Sequence, residues 1–164
     1  MAKESVLKDK VILAVDDEED VLETLEEVLD MCIVHKAKDY DTANQYLLSY
    51  TYDIVILDIM GVNGFELLKL AVTKNIPTVM LTAHAVTPEA LKKSIKLGAV
   101  FFLPKEQISE LIEFMEHVVL NEGKPIWIKL FDRLGEYFNR RFGPDWKERD
   151  KFFKEFEESL KKNE

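Results

Sequence analysis

Short apolar runs alternate with longer amphipathic stretches over residues 11–121, and this alternation limits the possible folds more than any other feature of the sequence. Most of the runs are continuously apolar, which is typical of strands in a parallel sheet covered on both faces. They lie at 11–15, 33–37, 53–58, 77–83 and 99–103. The stretches between them carry apolar residues at the three- and four-residue spacing of helices. We therefore predict an α/β fold with a doubly wound, five-stranded parallel sheet.

Connection rules then restrict the strand order. Right-handed crossovers leave few orders for five parallel strands, and 2-1-3-4-5 suits this length. That order places the most polar run, 33–37, at an edge of the sheet. In open sheets of this kind, ligands bind beyond the carboxyl ends of the strands, where the order reverses between the first and third strands.

Two helix predictions follow from local signals near the end of this region. Pro88 suits the first turn of a helix and Gly98 suits a C-terminal cap, so we predict a helix over 88–97. Apolar residues at helical spacing predict another helix from about 106 to 121.

Polar side chains follow four of the five predicted strands. Asp16 and Asp17 follow the first strand, Asp58 ends the third, Thr82 ends the fourth and Lys105 follows the fifth. Because the carboxyl ends of parallel strands meet at one edge of the sheet, we expect these side chains to converge. A purely structural explanation, in which the aspartates are helix caps or solvated loop acids, accounts for one or two of them but not for their convergence.

Such a group of side chains has a definite chemistry. Each pair of carboxylates about 5 Å apart repels by roughly 3 kcal/mol at an effective dielectric constant near 20. An all-oxygen, open site of this kind suits Mg²⁺ or Mn²⁺. A carboxylate nucleophile, a divalent cation, a lysine and a hydroxyl together predict phosphoryl transfer.

These motifs resemble those of the response-regulator receiver family of two-component signalling. The resemblance covers about residues 10–121 and is carried by VDDEED at 15–20, ILDIM at 56–60, LTA at 81–83 and Lys105. It implies that Asp58 accepts the phosphoryl group from a phosphohistidine on a sensor histidine kinase or a phosphotransfer protein. It further implies that Asp16 and Asp17 position Mg²⁺ together with Asp58.

The resemblance also assigns roles to residues near the acceptor. The backbone carbonyl of Met60 matches a metal ligand, and the Thr82 hydroxyl and the Lys105 ammonium match the groups that engage the phosphoryl group. Phe102 matches an aromatic switch position, and His84 a position that tunes phosphoryl lifetime. From the sequence we expect one of Phe101 and Phe102 to lie in the core and the other at its boundary.

Three departures from the family pattern are visible. The loop after Asp58 is about two residues shorter than usual and has no proline. Pro104 precedes the lysine, where the family usually has a proline after it, and Glu106 follows. Phe102 lacks the hydroxyl that a tyrosine would offer.

Two other functions compete with the phosphorylated switch. One is a degenerate receiver that acts only as an interaction module. The other is an aspartate-nucleophile phosphatase, although such enzymes usually carry a second acid at the position of Met60. We expect a protein that receives and slowly self-hydrolyses a phosphoryl group, and no conventional enzyme. Nucleotide binding is disfavoured because the sequence has neither G-x-G-x-x-G nor a P-loop motif.

The C-terminal segment differs in character from the rest of the chain. Residues 1–123 hold 22 acidic and 11 basic side chains, whereas residues 124–164 hold 9 and 11. We divide the chain into a receiver domain at 1–122 and a two-helix extension at 123–164. Forty residues cannot form a sizeable core alone, so the extension is expected to pack on the receiver, to dimerise or to dock a partner.

Composition excludes several classes of partner. The net charge of −9 argues against nucleic acid and anionic lipid, and the extension has no coherent basic patch, so we expect neither DNA nor membrane binding. Output is expected through a protein partner, or a second copy, bound at residues 88–121 and the extension. A single cysteine, no apolar run near the ~18–20 residues of a membrane span, and no signal peptide predict a soluble, cytoplasmic protein.

Overall fold

The computed structural model describes residues 5–121 and 125–162 and contains one five-stranded parallel sheet. The strand order is β2-β1-β3-β4-β5, which confirms the predicted flavodoxin-like order and puts β2 at an edge. The strands are β1 (Val11–Val15), β2 (Ile33–Ala37), β3 (Ile54–Leu57), β4 (Thr78–Thr82) and β5 (Phe101–Pro104). β3 and β4 are buried along their whole length, as continuous apolar runs require.

Helices connect and cover the strands. In chain order they are α1 (Glu19–Val28), α2 (Tyr40–Ser49), α3 (Gly64–Thr73), α4 (Pro88–Leu97), α5 (Leu111–Leu120), α6 (Ile126–Phe142), α7 (Trp146–Arg149) and α8 (Lys151–Lys162). The prediction for α4 is confirmed: the Thr87 hydroxyl accepts a hydrogen bond from the Ala90 amide, and Gly98 caps the other end with a φ of 98°. No helix among the described residues is long and apolar enough to cross a membrane.

The predicted helix at 106–121 is only partly correct. A 3-10 segment at Lys105–Glu110 precedes α5, and Gln107 within it has non-helical angles. The 3-10 segment buries no residue fully, so it lacks the packed apolar face that stabilises a regular helix. The apolar spacing that predicted a helix is that of α5, where Leu111, Phe114 and Met115 are buried.

The C-terminal segment, residues 125–162, is called the tail from here on. Its second predicted helix is divided into α7 and α8, because Asp150 between them has extended backbone angles and its carboxylate accepts a hydrogen bond from the Phe152 amide. Aromatic rings from all three helices pack together around Trp146, with centroid separations of 4.9–6.1 Å to its neighbours. The tail packs on α5 and β5. Of the three arrangements expected from the sequence, namely packing on the receiver, dimerisation and partner docking, the structure shows the first.

Candidate functional site

Asp58 lies at the carboxyl end of β3, in the middle of the sheet. Its amide donates to the carbonyl of Val15 in β1 at 2.9 Å, so the strand ladder fixes its backbone. One carboxylate oxygen, Oδ1, accepts a hydrogen bond from the Ile59 amide at 2.8 Å. The residue is 2% exposed. A buried carboxylate held in one orientation is suited to act as a nucleophile.

Lys105 bridges two of the predicted site residues. Its Nζ lies 2.8 Å from Asp16 Oδ2 and 3.2 Å from Asp58 Oδ2. Burial by itself lowers the pKa of the Lys105 ammonium, but the hydrogen bond with Asp16 and the charge of Asp58 outweigh that effect, so the pKa lies above its ordinary value. The lysine therefore stays charged between the two carboxylates.

The pKa of the Asp16 carboxyl group is raised as well, and for an acid this disfavours the charged form. Burial raises the pKa of its carboxyl group above the ordinary value, and the hydrogen bonds from Lys105 and the Glu18 amide offset this only in part. The negative charge of Asp58 raises it further. The arrangement thus holds more negative charge than one lysine neutralises.

Thr82 ends β4 next to these carboxylates in sheet order and is fully buried. Its Oγ1 has no hydrogen-bond partner among the described residues. A buried hydroxyl without a partner costs about 1–3 kcal/mol, so such groups are rare and call for an explanation. A ligand oxygen that arrives in the site would supply the missing partner.

Three consecutive acids among the described residues form a group of candidate metal ligands. Carboxylate oxygens of Asp16, Asp17 and Glu18 lie within 4.8 Å of one another. Asp58 is not part of this group and instead pairs with Lys105. Sequence reasoning missed Glu18, because acids in the first turn of a helix are already favoured by its dipole. The signal that marks it is its position directly after the acidic pair.

The short loop after Asp58 packs tightly against the acids. Gly61 has a φ of 84°, and a Cβ there would overlap Asp17 Oδ2. A Cβ on Gly64 would likewise overlap the backbone carbonyl of Asp58. Both glycines are therefore required by the close approach of the loop. The Met60 side chain is 55% exposed, and the role of its backbone carbonyl stays a prediction.

The two remaining predicted residues are His84, which lies at the exposed rim of the site, and Phe102, which lies in the core. His84 is at the rim, with Nε2 3.3 Å from Glu18 Oε1. Phe102 is fully buried in β5, and so is Phe101, so the expectation that one of them lies at the boundary is wrong. Helices and the tail cover both faces of β5, which removes the boundary position. The switching role of Phe102 and the tuning role of His84 stay predictions.

Comparison with known proteins places this site in a recognised context. Residues 12–116 match the family model described as response regulator receiver domain. The two-component response regulators ARR10 and ARR18 of Arabidopsis thaliana are 34% and 33% identical over 116 and 115 residues, 66% of this chain. The match spans about a fifth of the length of those relatives, 21% and 18%.

Solved structures resemble the chain over the same region. The Vibrio cholerae chemotaxis protein CheY4 is 26% identical with a TM-score of 0.56, over 64% of this chain and 97% of that one. A CheY-like response regulator receiver domain protein from Methanospirillum hungatei has a TM-score of 0.61 at 21% identity, over 71% of this chain and 100% of that one, a likeness of fold alone.

Proposed function

The chain belongs to the response regulator receiver domain family, and we propose that it switches a signalling pathway by accepting a phosphoryl group on Asp58. A receiver domain of a two-component system implies a phosphodonor such as a histidine kinase. The observation that carries the proposal is the pairing of Lys105 with Asp58 in a buried site that also holds the unpartnered Thr82 hydroxyl.

The residues present account for each part of the transfer step. A carboxylate oxygen of Asp58 attacks the phosphorus of a phosphohistidine. The phosphorus–nitrogen bond breaks as the oxygen–phosphorus bond forms, and the imidazole leaves with the electron pair and takes up a proton. Lys105 pairs with a phosphoryl oxygen, and the Thr82 hydroxyl donates to another, which ends its unpartnered state.

The acids fit a divalent cation, Mg²⁺ or Mn²⁺. The Lys105 ammonium lies within 3.9 Å of the carboxylates of Asp16, Glu18 and Asp58. Asp17 adds a fourth carboxylate, with an oxygen within 4.8 Å of oxygens of Asp16 and Glu18. When bound, the cation would offset the negative charge on the phosphoryl oxygens. Asp16, Asp17 and Asp58 are the proposed ligands, with the Met60 carbonyl, and Glu18 is added to the candidates.

We propose that the phosphorylated chain acts by binding a protein partner in the cytoplasm. The chain would receive the phosphoryl group and slowly hydrolyse it, without turning over a separate substrate. Neither DNA nor a membrane is part of this proposal, in keeping with the net charge of −9.

Intact mass after incubation with acetyl phosphate and Mg²⁺ tests the function. The wild type should gain the mass of one phosphoryl group only when Mg²⁺ is present, and Asp58→Asn should gain nothing. Asp20→Asn, which changes an exposed acid in the first turn of α1, is the matched control and should behave as the wild type. A gain that persists in Asp58→Asn would refute the assignment of the acceptor. Continuous release of phosphate from small esters would instead support a phosphatase.

A further inference from the structure

One side of α6 carries a stripe of donors at four-residue spacing, made of Lys129, Arg133, Tyr137 and Arg141. Residues four apart lie on the same face of a helix. The stripe faces three acids that come from the 3-10 segment and α5, namely Glu106, Glu110 and Glu113. We call these three residues the acidic edge.

The contacts between the stripe and the acidic edge differ in length along α6. Arg133 lies 2.6 Å from Glu110 and 2.8 Å from Glu113, and Lys129 lies 3.4 Å from Glu113. Toward the end of α6 the contacts are long: the Tyr137 hydroxyl donates to Glu106 at 3.3 Å, and Arg141 donates to the same carboxylate at 3.4 Å. Glu110 and Glu113 each have a contact shorter than 3 Å, whereas both contacts of Glu106 exceed the usual upper limit of about 3.2 Å, so Glu106 is the most weakly held of the three acids.

The other side of the tail has charges of the opposite sign facing the receiver. Lys92 of α4 binds Asp150 at 2.9 Å, and Lys92 and Lys96 both lie over the Phe152 ring, at 5.6 and 5.4 Å from its centroid. The tail thus offers basic groups to an acidic helix and acidic and aromatic groups to a basic one. This two-sided complementarity fits the tail to the surface that α4, the 3-10 segment and α5 present.

The contacts of Glu106 with Tyr137 and Arg141 lie next to the acceptor site in the chain. Glu106 directly follows Lys105, the residue that bridges Asp16 and Asp58. A groove of about 470 Å³ separates the segment at 86–89, which follows β4 and Thr82, from Arg141, Phe142 and Trp146 of the tail. The end of α6 therefore contacts Glu106, the residue directly after Lys105, and lies across a groove from a segment that begins four residues after Thr82.

We propose that the tail is an intramolecular cap whose hold on the receiver depends on the occupancy of Asp58 and is relayed through Lys105 and Glu106. The proposal rests on the function proposed above. When Asp58 is phosphorylated, Lys105 exchanges its contacts with Asp16 and Asp58 for a phosphoryl oxygen, and the backbone at 104–106 moves with it. The long contacts of Glu106 with Tyr137 and Arg141 break first. Release therefore begins at the end of α6 and frees the surface of α4 and α5 for a partner.

Two tryptophans make the cap directly observable. The chain contains only Trp127 and Trp146, and both are buried in the tail, so tryptophan emission, excited selectively over tyrosine, reports on the tail alone. Phosphorylation by acetyl phosphate and Mg²⁺, verified by intact mass in the same sample, should shift the emission to longer wavelength. Amide hydrogen exchange at 137–142 should rise about tenfold, a typical size for coupling between two sites. Full mass gain with neither change would overturn the cap while leaving the phosphorylation intact.

Matched variants test the relay. Arg141→Gln should raise amide exchange at the end of α6 before phosphorylation and should shrink the further change on phosphorylation. Arg140→Gln, at the neighbouring exposed position, should leave both at the wild-type level. An equal response of the two variants would refute the role of the Glu106 contacts.

A second arm does not depend on phosphorylation, so failure of the proposed function does not hide the result. Lys105→Met removes the ammonium that holds the 3-10 segment to Asp16 and Asp58, and amide exchange at 137–142 should change. Lys36→Met breaks an exposed ion pair with Glu26 at the opposite edge of the sheet and should leave these amides unchanged. Unchanged exchange in Lys105→Met would overturn the relay.

Discussion

Arg133 of α6 binds Glu113 of α5 through both of its terminal nitrogens, at 2.8 and 3.2 Å. The hydrogen bond from Arg133 holds the pKa of the Glu113 carboxyl below its usual range. A carboxyl group with a lowered pKa stabilises the folded state above its unfolded pKa, about 4.3, and this contribution is lost as the pH falls through the folded value. The Asp150 carboxyl, whose pKa is lowered by its hydrogen bond from Lys92, acts in the same direction.

We therefore expect the tail to be less stable in acid. The urea midpoint of tryptophan fluorescence should fall between pH 6 and pH 3, with the loss concentrated below about pH 4.3. Glu113→Gln should have a lower midpoint than the wild type at pH 6 and should lose less on acidification. Glu27→Gln, an exposed position of α1, is the control. A midpoint in Glu113→Gln that tracks the wild type at every pH would contradict the prediction.

The two buried threonines of β4 should respond oppositely to the same substitution. Thr82→Val removes a hydroxyl without a partner and should raise the free energy of unfolding by about 1 kcal/mol. Thr78→Val removes a hydroxyl that donates to the Ile76 carbonyl at 2.9 Å, so it should lower this free energy by about 1 kcal/mol. Urea unfolding followed by circular dichroism measures both.

Thr82→Val, the variant expected to be more stable, should also be impaired in phosphorylation. Thr82→Val should take up the phosphoryl group from acetyl phosphate more slowly than the wild type, whereas Thr78→Val should keep the wild-type rate while it remains folded. If Thr82→Val destabilised the protein, the hydroxyl would have to be hydrogen-bonded in solution, for example to water.

The close approach of Gly61 to Asp17 predicts a specific loss of cation binding. Gly61→Ala places a Cβ against Asp17 Oδ2 at a backbone φ of 84°, so either the loop or the carboxylate must move. Mg²⁺ binding, measured by calorimetry, should weaken. The matched control is Gly135→Ala, because nothing lies within 4 Å of a Cβ there and the residue is inside α6. That substitution should stabilise the protein by about 0.5–1 kcal/mol and leave Mg²⁺ binding unchanged. Equal affinities in both variants would refute the contact.

Cys32 is the single cysteine and should react slowly. Burial raises the pKa of its thiol to about 11, and the negative charges of Asp30 and Asp53 contribute. Its Sγ also donates to the Leu7 carbonyl at 3.4 Å. At pH 8.5 the folded protein should react with a disulfide reagent on the order of a hundredfold more slowly than the urea-unfolded chain, because the thiolate is the reactive form.

The raised pKa of the Cys32 thiol also makes the stability of the fold depend on pH. A thiol with a raised pKa stabilises the fold below its unfolded pKa, about 8.5, and this contribution is lost as the pH rises toward 11. Native and unfolded chains that react at the same rate would contradict the burial of this side chain.

The sequence predicted the features that depend on strands. Continuous apolar runs and right-handed crossovers determine the sheet order, and the sheet order brings the residues after each strand to one edge, so Asp16, Asp58 and Lys105 meet as expected. This inference needs no side-chain detail, because backbone topology alone brings the groups together.

Features that depend on the exact path of a loop or a helix end were not predictable in this way. Glu18 joins the acidic group because the chain bends at Asp17 between β1 and α1, and the residue types alone do not reveal that bend. The break at Asp150 likewise depends on one residue in an extended conformation. The place where the tail docks depends on charge complementarity between surfaces distant in sequence, such as Arg133 with Glu110, which periodicity cannot detect.

The packing of α6 also has a consequence for solubility. Six apolar residues of α6 are buried, and the helix contacts both α5 and β5. A chain shortened to residue 121 would expose to water the apolar surfaces of α5 and β5 that these residues cover. Contiguous apolar patches of this kind promote aggregation. We therefore expect the tail also to limit self-association of the receiver at high concentration.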